Sequence, residues 1–146
     1  MSETVFIDPD RGAWSVFKGL LSGAPIHMLN LIRLRDRAAY PEGHEDHGKD
    51  MSGREAYRAY GRTTAHIFAR VGGRQVWVGR PEVTVTGPQS EAWDLAFIAQ
   101  YPDARAFIEM VRDPEYRVLV AHRTAGVADS RLICMSPREP GEGFGE

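Results

Sequence analysis

Apolar residues recur at helical spacing near the start of the chain, where Trp14, Phe17, Leu20 and Leu21 share a stripe. Pro9 and Asp10 suit a helix start and Gly23 a stop, which predicts a short helix over 8–22 on the outside of the domain. Residues 26–34 (IHMLNLIRL) alternate instead. Ile26, Met28, Asn30 and Ile32 take one face, and His27, Leu29, Leu31 and Arg33 the other. Both faces are largely apolar, so this predicted strand is covered on both sides. A polar stretch with Pro41, Gly43 and Gly48 follows over 35–50 and reads as a long loop. Ser52 and Glu55 then form a capping box ahead of a stripe of Tyr57, Tyr60, Thr64, Ile67, Phe68 and Val71, and Gly72 and Gly73 end that helix. Residues 75–86 read as a strand with a bend at Gly79 and Pro81, and 92–101 as its antiparallel hairpin partner. Asp103 caps a helix carrying Phe107, Ile108 and Val111. Asp113 and Pro114 start a second helical segment to about Gly126, and 131–135 form the last strand.

The order strand, helix, strand, strand, helix, strand is an α+β arrangement, the ferredoxin-like βαββαβ plan with an antiparallel sheet. The expected organisation is an N-terminal helical extension over 1–24, the ferredoxin-like domain over 25–136 and a Gly/Pro-rich flexible tail over 137–146. Helices cover one face of such a sheet. The apolar residues left on the other face predict a homodimer packed sheet to sheet, because soluble proteins rarely expose so large a patch.

Length and charge narrow the function classes. The chain has 146 residues, suited to one domain, with 18 basic and 20 acidic side chains for a net charge of −2. No basic run appears, so no nucleic-acid partner is expected. No stretch reaches the about 20 apolar residues of a membrane span, and no secretory signal is apparent at the N-terminus. Cys134 is the single cysteine, with apolar neighbours that make it inert. These features predict a cytoplasmic protein.

Several residues are candidates for chemistry. His122 and Arg123 are adjacent on a helix. An imidazole exchanges protons near neutrality and a guanidinium grips an anion, though the pair would equally fix a helix end through Asp129 or a carbonyl. Asn30 sits in an apolar strand and either anchors a ligand oxygen or bridges to a neighbouring strand. Asp94 is either a base or, the favoured reading, an ion-pair partner of Arg33, Arg80 or Arg131. Tyr57 and Tyr60 chiefly pack in the core, with hydroxyls able to reach a cavity. In the loop, His44 and His47 with Glu42, Glu45, Asp46 and Asp50 hold enough ligands for a divalent ion, but the bland solvated loop is favoured and no metal site is assigned. His27 and His66 have no partner motif. A nucleophile elbow, a phosphate loop and a dinucleotide fingerprint are all missing, and no cofactor is called for.

The strings PIHMLNLIRL, EAYRAYG, VGGRQVWVGRPE, WDLAFIAQYPDARAFIEMVRDPEY and HRTAGVADSRLI resemble the family called domain of unknown function 1330, over about 25–136. The resemblance implies a ferredoxin-like dimeric α/β barrel, similar in plan to cofactor-independent monooxygenases, lactone isomerases and haem-modifying enzymes. On that reading the protein binds a small, anionic organic molecule. If it is an enzyme, it works by cofactor-free proton transfer or oxygen chemistry. His122 would be the acid/base and Arg123 the anion clamp, with Asn30, Tyr60 and Asp94 as the remaining substrate-side candidates. The alternatives are a non-catalytic ligand-binding or stress-associated module, and a metal or haem protein using His44 and His47, or His27 or His66.

Overall fold

The structure is a computed structural model. It describes residues 4–20, 23–141 and 143–144. Eight elements follow in order: α1 (Arg11–Lys18), β1 (Ile26–Leu34), α2 (Gly53–Arg70), β2 (Arg74–Gly79), β3 (Leu95–Tyr101), α3 (Ala104–Arg112), α4 (Pro114–Gly126) and β4 (Val127–Met135). The four strands form one antiparallel sheet in the order β2-β3-β1-β4. This is the ferredoxin-like arrangement, with α1 added in front of the repeat.

The local signals work as the sequence predicts at most junctions. Ser52 accepts from the Glu55 amide at 3.0 Å and opens α2. Gly72, at φ +85°, turns the chain out of it. Asp103 accepts from the Ala106 amide at 2.9 Å, and Asp113 from the amides of Glu115 and Tyr116 at 2.8 and 3.1 Å. The first helix stops earlier than Gly23: Gly19 is its C-cap, and Leu21 and Ser22 lie outside the described residues. Its Trp14 stacks on Phe17, which meets Phe107 of α3 edge-on, so α1 docks on the helical layer.

The strand expected over 75–86 ends at Gly79. Pro81 has no amide hydrogen to donate, and the irregularity sits earlier, between Gln75 and Trp77. The chain over 80–94 therefore runs outside the sheet and re-enters it at Leu95. The last strand is longer than 131–135, because α4 passes into β4 without a loop.

The register assigns the two faces of the sheet. Met28 lies between Ala99 and Cys134, and Asn30 between Phe97 and Leu132. Of these, Met28, Ala99, Phe97 and Cys134 join Ile26 and Tyr101 against Ile67, Phe107, Met110 and Tyr116 in the main core. Leu29 lies between Ile98 and Ile133 on the opposite face, beside Leu31. There the side chains are only partly covered, and Ile133 and Trp77 are about half exposed at 48% and 50%.

A second, smaller core of Tyr40, Ala56 and Ala125, with Ala38 and Met51 beside it, supports the long loop. The loop is pinned at its base by backbone hydrogen bonds. Arg35 donates to Gly126 at 2.8 Å, Gly53 to Arg35 at 3.1 Å, Ala38 to Met51 at 2.9 Å and Ala39 to Ala125 at 2.9 Å. The approach is close enough that a Cβ on Gly126 would lie 2.5 Å from the Gly53 carbonyl oxygen.

Candidate active site

The loop over 35–52 carries Tyr40 back across α4. Its ring is buried at 7% exposure against Ala56 and Ala125. Its hydroxyl lies 2.6 Å from His122 Nδ1. His44 stacks on the same ring at 4.5 Å and meets the His122 ring edge-on at 5.5 Å. The Asp46 amide donates to His44 Nδ1 at 3.0 Å, and Lys49 reaches Asp46 Oδ1 at 2.8 Å. A nitrogen from each of His44 and His122 and a carboxylate oxygen of Asp46 lie within 4.8 Å of one another. His47 turns the other way. Its Nδ1 bonds the Tyr40 carbonyl oxygen at 2.8 Å and helps shape the loop.

Electrostatics set the protonation of this corner. Burial pushes the Tyr40 hydroxyl upward in pKa, with the Asp46 charge adding to it, so the phenol keeps its proton. Burial also pulls His122 below its ordinary value of 6.5; His44 and Arg62 act in the same direction, while Asp46 and Glu45 push back. His122 is therefore a neutral imidazole at pH 7. A protonated phenol both donates and accepts, so it serves either neutral form of the ring, donating to a bare Nδ1 or accepting from an Nδ1–H. Hydrogen bonding from Lys49 holds the Asp46 carboxyl below the usual range.

The other four sequence candidates have partners of their own. Asn30 donates to the Met28 carbonyl at 3.0 Å on the helix-facing side of β1. Tyr60 shares a 2.9 Å hydrogen bond with Tyr116. Arg123 donates to the Ile7 carbonyl at 2.7 Å and to Ser130 Oγ at 3.4 Å, and its charge acts on Tyr57 and Tyr116. Asp94 accepts from the Leu34 amide at 2.8 Å and ties the start of β3 to the end of β1. Arg131, one of its expected partners, pairs with Asp129 at 2.9 Å and Glu91 at 3.1 Å. The structure thus joins His122 to His44, a pairing across 78 positions that sequence reading kept apart. Tyr40 was missed altogether. Its one signal was a large aromatic inside a polar loop, which needs something to bury against.

The sequence family agrees with this fold. The chain belongs to the family described as domain of unknown function DUF1330, whose model matches residues 48–136. It is similar to the RPA0582 protein of Rhodopseudomonas palustris, described as a protein of unknown function. The identity is 50% over 94% of this chain and 100% of that one, with a TM-score of 0.86. The methylated form of RPA0582 aligns at 49% identity over 96% and 100% of the two chains, with a TM-score of 0.87. A more distant likeness is to SnoaB, a cofactor-independent oxygenase of Streptomyces nogalater. It is 17% identical over 82% of this chain and 99% of that one, with a TM-score of 0.50, and this likeness shows the fold alone. No curated protein matches the chain. Among the described residues no helix is long and apolar enough to cross a membrane.

Proposed function

We propose that the protein binds a small organic anion at the corner of Tyr40, His44 and His122 and transfers a proton to or from it at His122. The 2.6 Å contact between the Tyr40 hydroxyl and His122 Nδ1 carries this reading. It orients the ring, which leaves Nε2 as the group that meets a ligand. In the Nε2–H form the neutral ring donates a hydrogen bond to the anion; with the ring proton on Nδ1 and the Tyr40 oxygen accepting from it, the bare Nε2 takes a proton from the ligand and the resulting imidazolium returns it. Arg62 supplies positive potential on the same side. Arg123, Tyr60 and Asn30 belong to the layer between helices and sheet, and Asp94 to the sheet end, where they support the walls rather than the reacting group.

The working unit in this reading is a homodimer in the cytoplasm. The half-covered face of Leu29, Leu31, Ile98 and Ile133 is the surface a second copy covers.

The test is a panel of small carboxylic and enolic acids, screened on chelator-treated protein by thermal shift and then by turnover. A binder is expected whose stabilisation is lost in His122→Ala and weakened in Tyr40→Phe. Binding and turnover that survive both substitutions would remove the assignment. Binding without turnover would leave a ligand-binding module.

A further inference from the structure

We propose that His44, Asp46 and His122 bind one first-row divalent cation, with zinc as the reference ion. Two imidazoles and one carboxylate are a donor set that such ions accept, with remaining positions open to water or a substrate oxygen. The three ligand atoms already lie within 4.8 Å of one another. Bonds of about 2.0–2.2 Å to a tetrahedral ion place ligand atoms roughly 3.3–3.6 Å apart, so the widest of these separations must close by up to about 1.5 Å. The geometry lets it do so. His44 and Asp46 ride on a surface loop, while His122 is fixed on α4.

The surroundings resemble an outer coordination sphere. A cation on His122 Nε2 requires the ring proton on Nδ1, which then donates to the Tyr40 oxygen 2.6 Å away. Taking His44 through Nδ1 exchanges the Asp46 amide hydrogen bond for a coordination bond. Asp46 Oδ1 is held by Lys49, and Oδ2 remains for the ion. Glu45 adds negative charge near His122, whereas Lys49 and Arg62 oppose the ion. The Lys49 side chain is 59% exposed and free to swing into solvent.

The inference goes beyond the proton-transfer reading. A cation and a titrating Nε2 exclude each other on His122, so the bound ion, not the imidazole, would then polarise the anion.

The experiment uses untagged, chelator-stripped full-length protein and zinc in competition with a chromophoric chelator. One zinc per chain is expected. Asp46→Asn and His122→Ala should each weaken it by about tenfold or more, and His66→Ala should leave it unchanged. Cobalt should give visible bands of a low-coordinate site that vanish in His122→Ala. Zinc affinity that is indifferent to Asp46→Asn, a loop change that leaves both cores untouched, would overturn the proposal, as would the lack of any stoichiometric binding. Carboxylate binding by the stripped protein is measured separately, so loss of the cation site leaves the His122 reading standing or falling on its own result.

Discussion

At the scale of single residues, the corner depends on one phenol–imidazole contact. The folded-state pKa of His122 is depressed, so between that value and the ordinary 6.5 the unfolded chain binds more protons than the folded one. Stability is therefore expected to rise with pH across this window and to fall on acidification through it. His122→Asn keeps an acceptor near Tyr40 but cannot titrate, and it should remove that part of the slope in urea unfolding at several pH values. With the phenol as donor to Nδ1, Tyr40→Phe should move the His122 pKa up in an NMR titration, because the neutral ring loses a hydrogen bond that favours it. An unchanged pKa would mean that burial alone sets the ring's charge. His122 and His44 were visible as candidates because imidazoles stand out in a sequence. Their meeting was not, since nothing local encodes how a loop folds over a helix 78 positions later. Asp94 shows the same limit: its partner is a backbone amide of a neighbouring strand, and backbone groups look alike in every sequence.

At the scale of elements, helix ends were the most legible features, because a cap is a contact between residues three or fewer positions apart. Ser52, Asp103 and Asp113 all cap where their spacing says they should. The sequence pattern predicts a strand running past Gly79, because β-branched alternation continues through Val83 and Val85, although both side chains are exposed. Alternation reports a pleat, whereas a strand also needs a partner, and the pairing ends at Gly79, two residues before Pro81. A tight junction is that of Gly53 and Gly126, where α2 meets α4 beneath the loop. A methyl at Gly126 would press on the Gly53 carbonyl at 2.5 Å and the Tyr57 amide at 3.1 Å. Gly126→Ala should destabilise the fold by about 1–3 kcal/mol in denaturant unfolding. It should also loosen Tyr40 from His122, since both are tied to that junction. A neutral effect would show that the helices separate freely.

At the scale of the whole molecule, the sheet is finished on one side only. The helix-facing side is packed, and the side with Leu29, Leu31, Ile98 and Ile133 is half covered. A charge placed there opposes burial against a second copy. In the proposed dimer, Ile133→Lys should shift the sedimenting species from dimer to monomer, with the secondary structure intact. A dimer in both would place the interface elsewhere. The apolar character of this face was readable from β1 alone, because two alternating sets of large side chains need two covers.

The N-terminal segment makes the edges of the sheet unequal. Phe6 donates to Asp129 and accepts from Ser130 Oγ, each within 2.8 Å, and Ile7 accepts from Arg123. The Arg131 guanidinium lies between the rings of Phe6 and Trp93, 5.0 and 5.1 Å from their centres. These contacts shield the first half of β4, whereas β2 presents Val76, Trp77 and Val78 to solvent. Of the two edge strands, β2 is therefore the more open along its whole length to pairing with another strand. Peeling the segment away would uncover the start of β4 and make the two edges of the sheet alike.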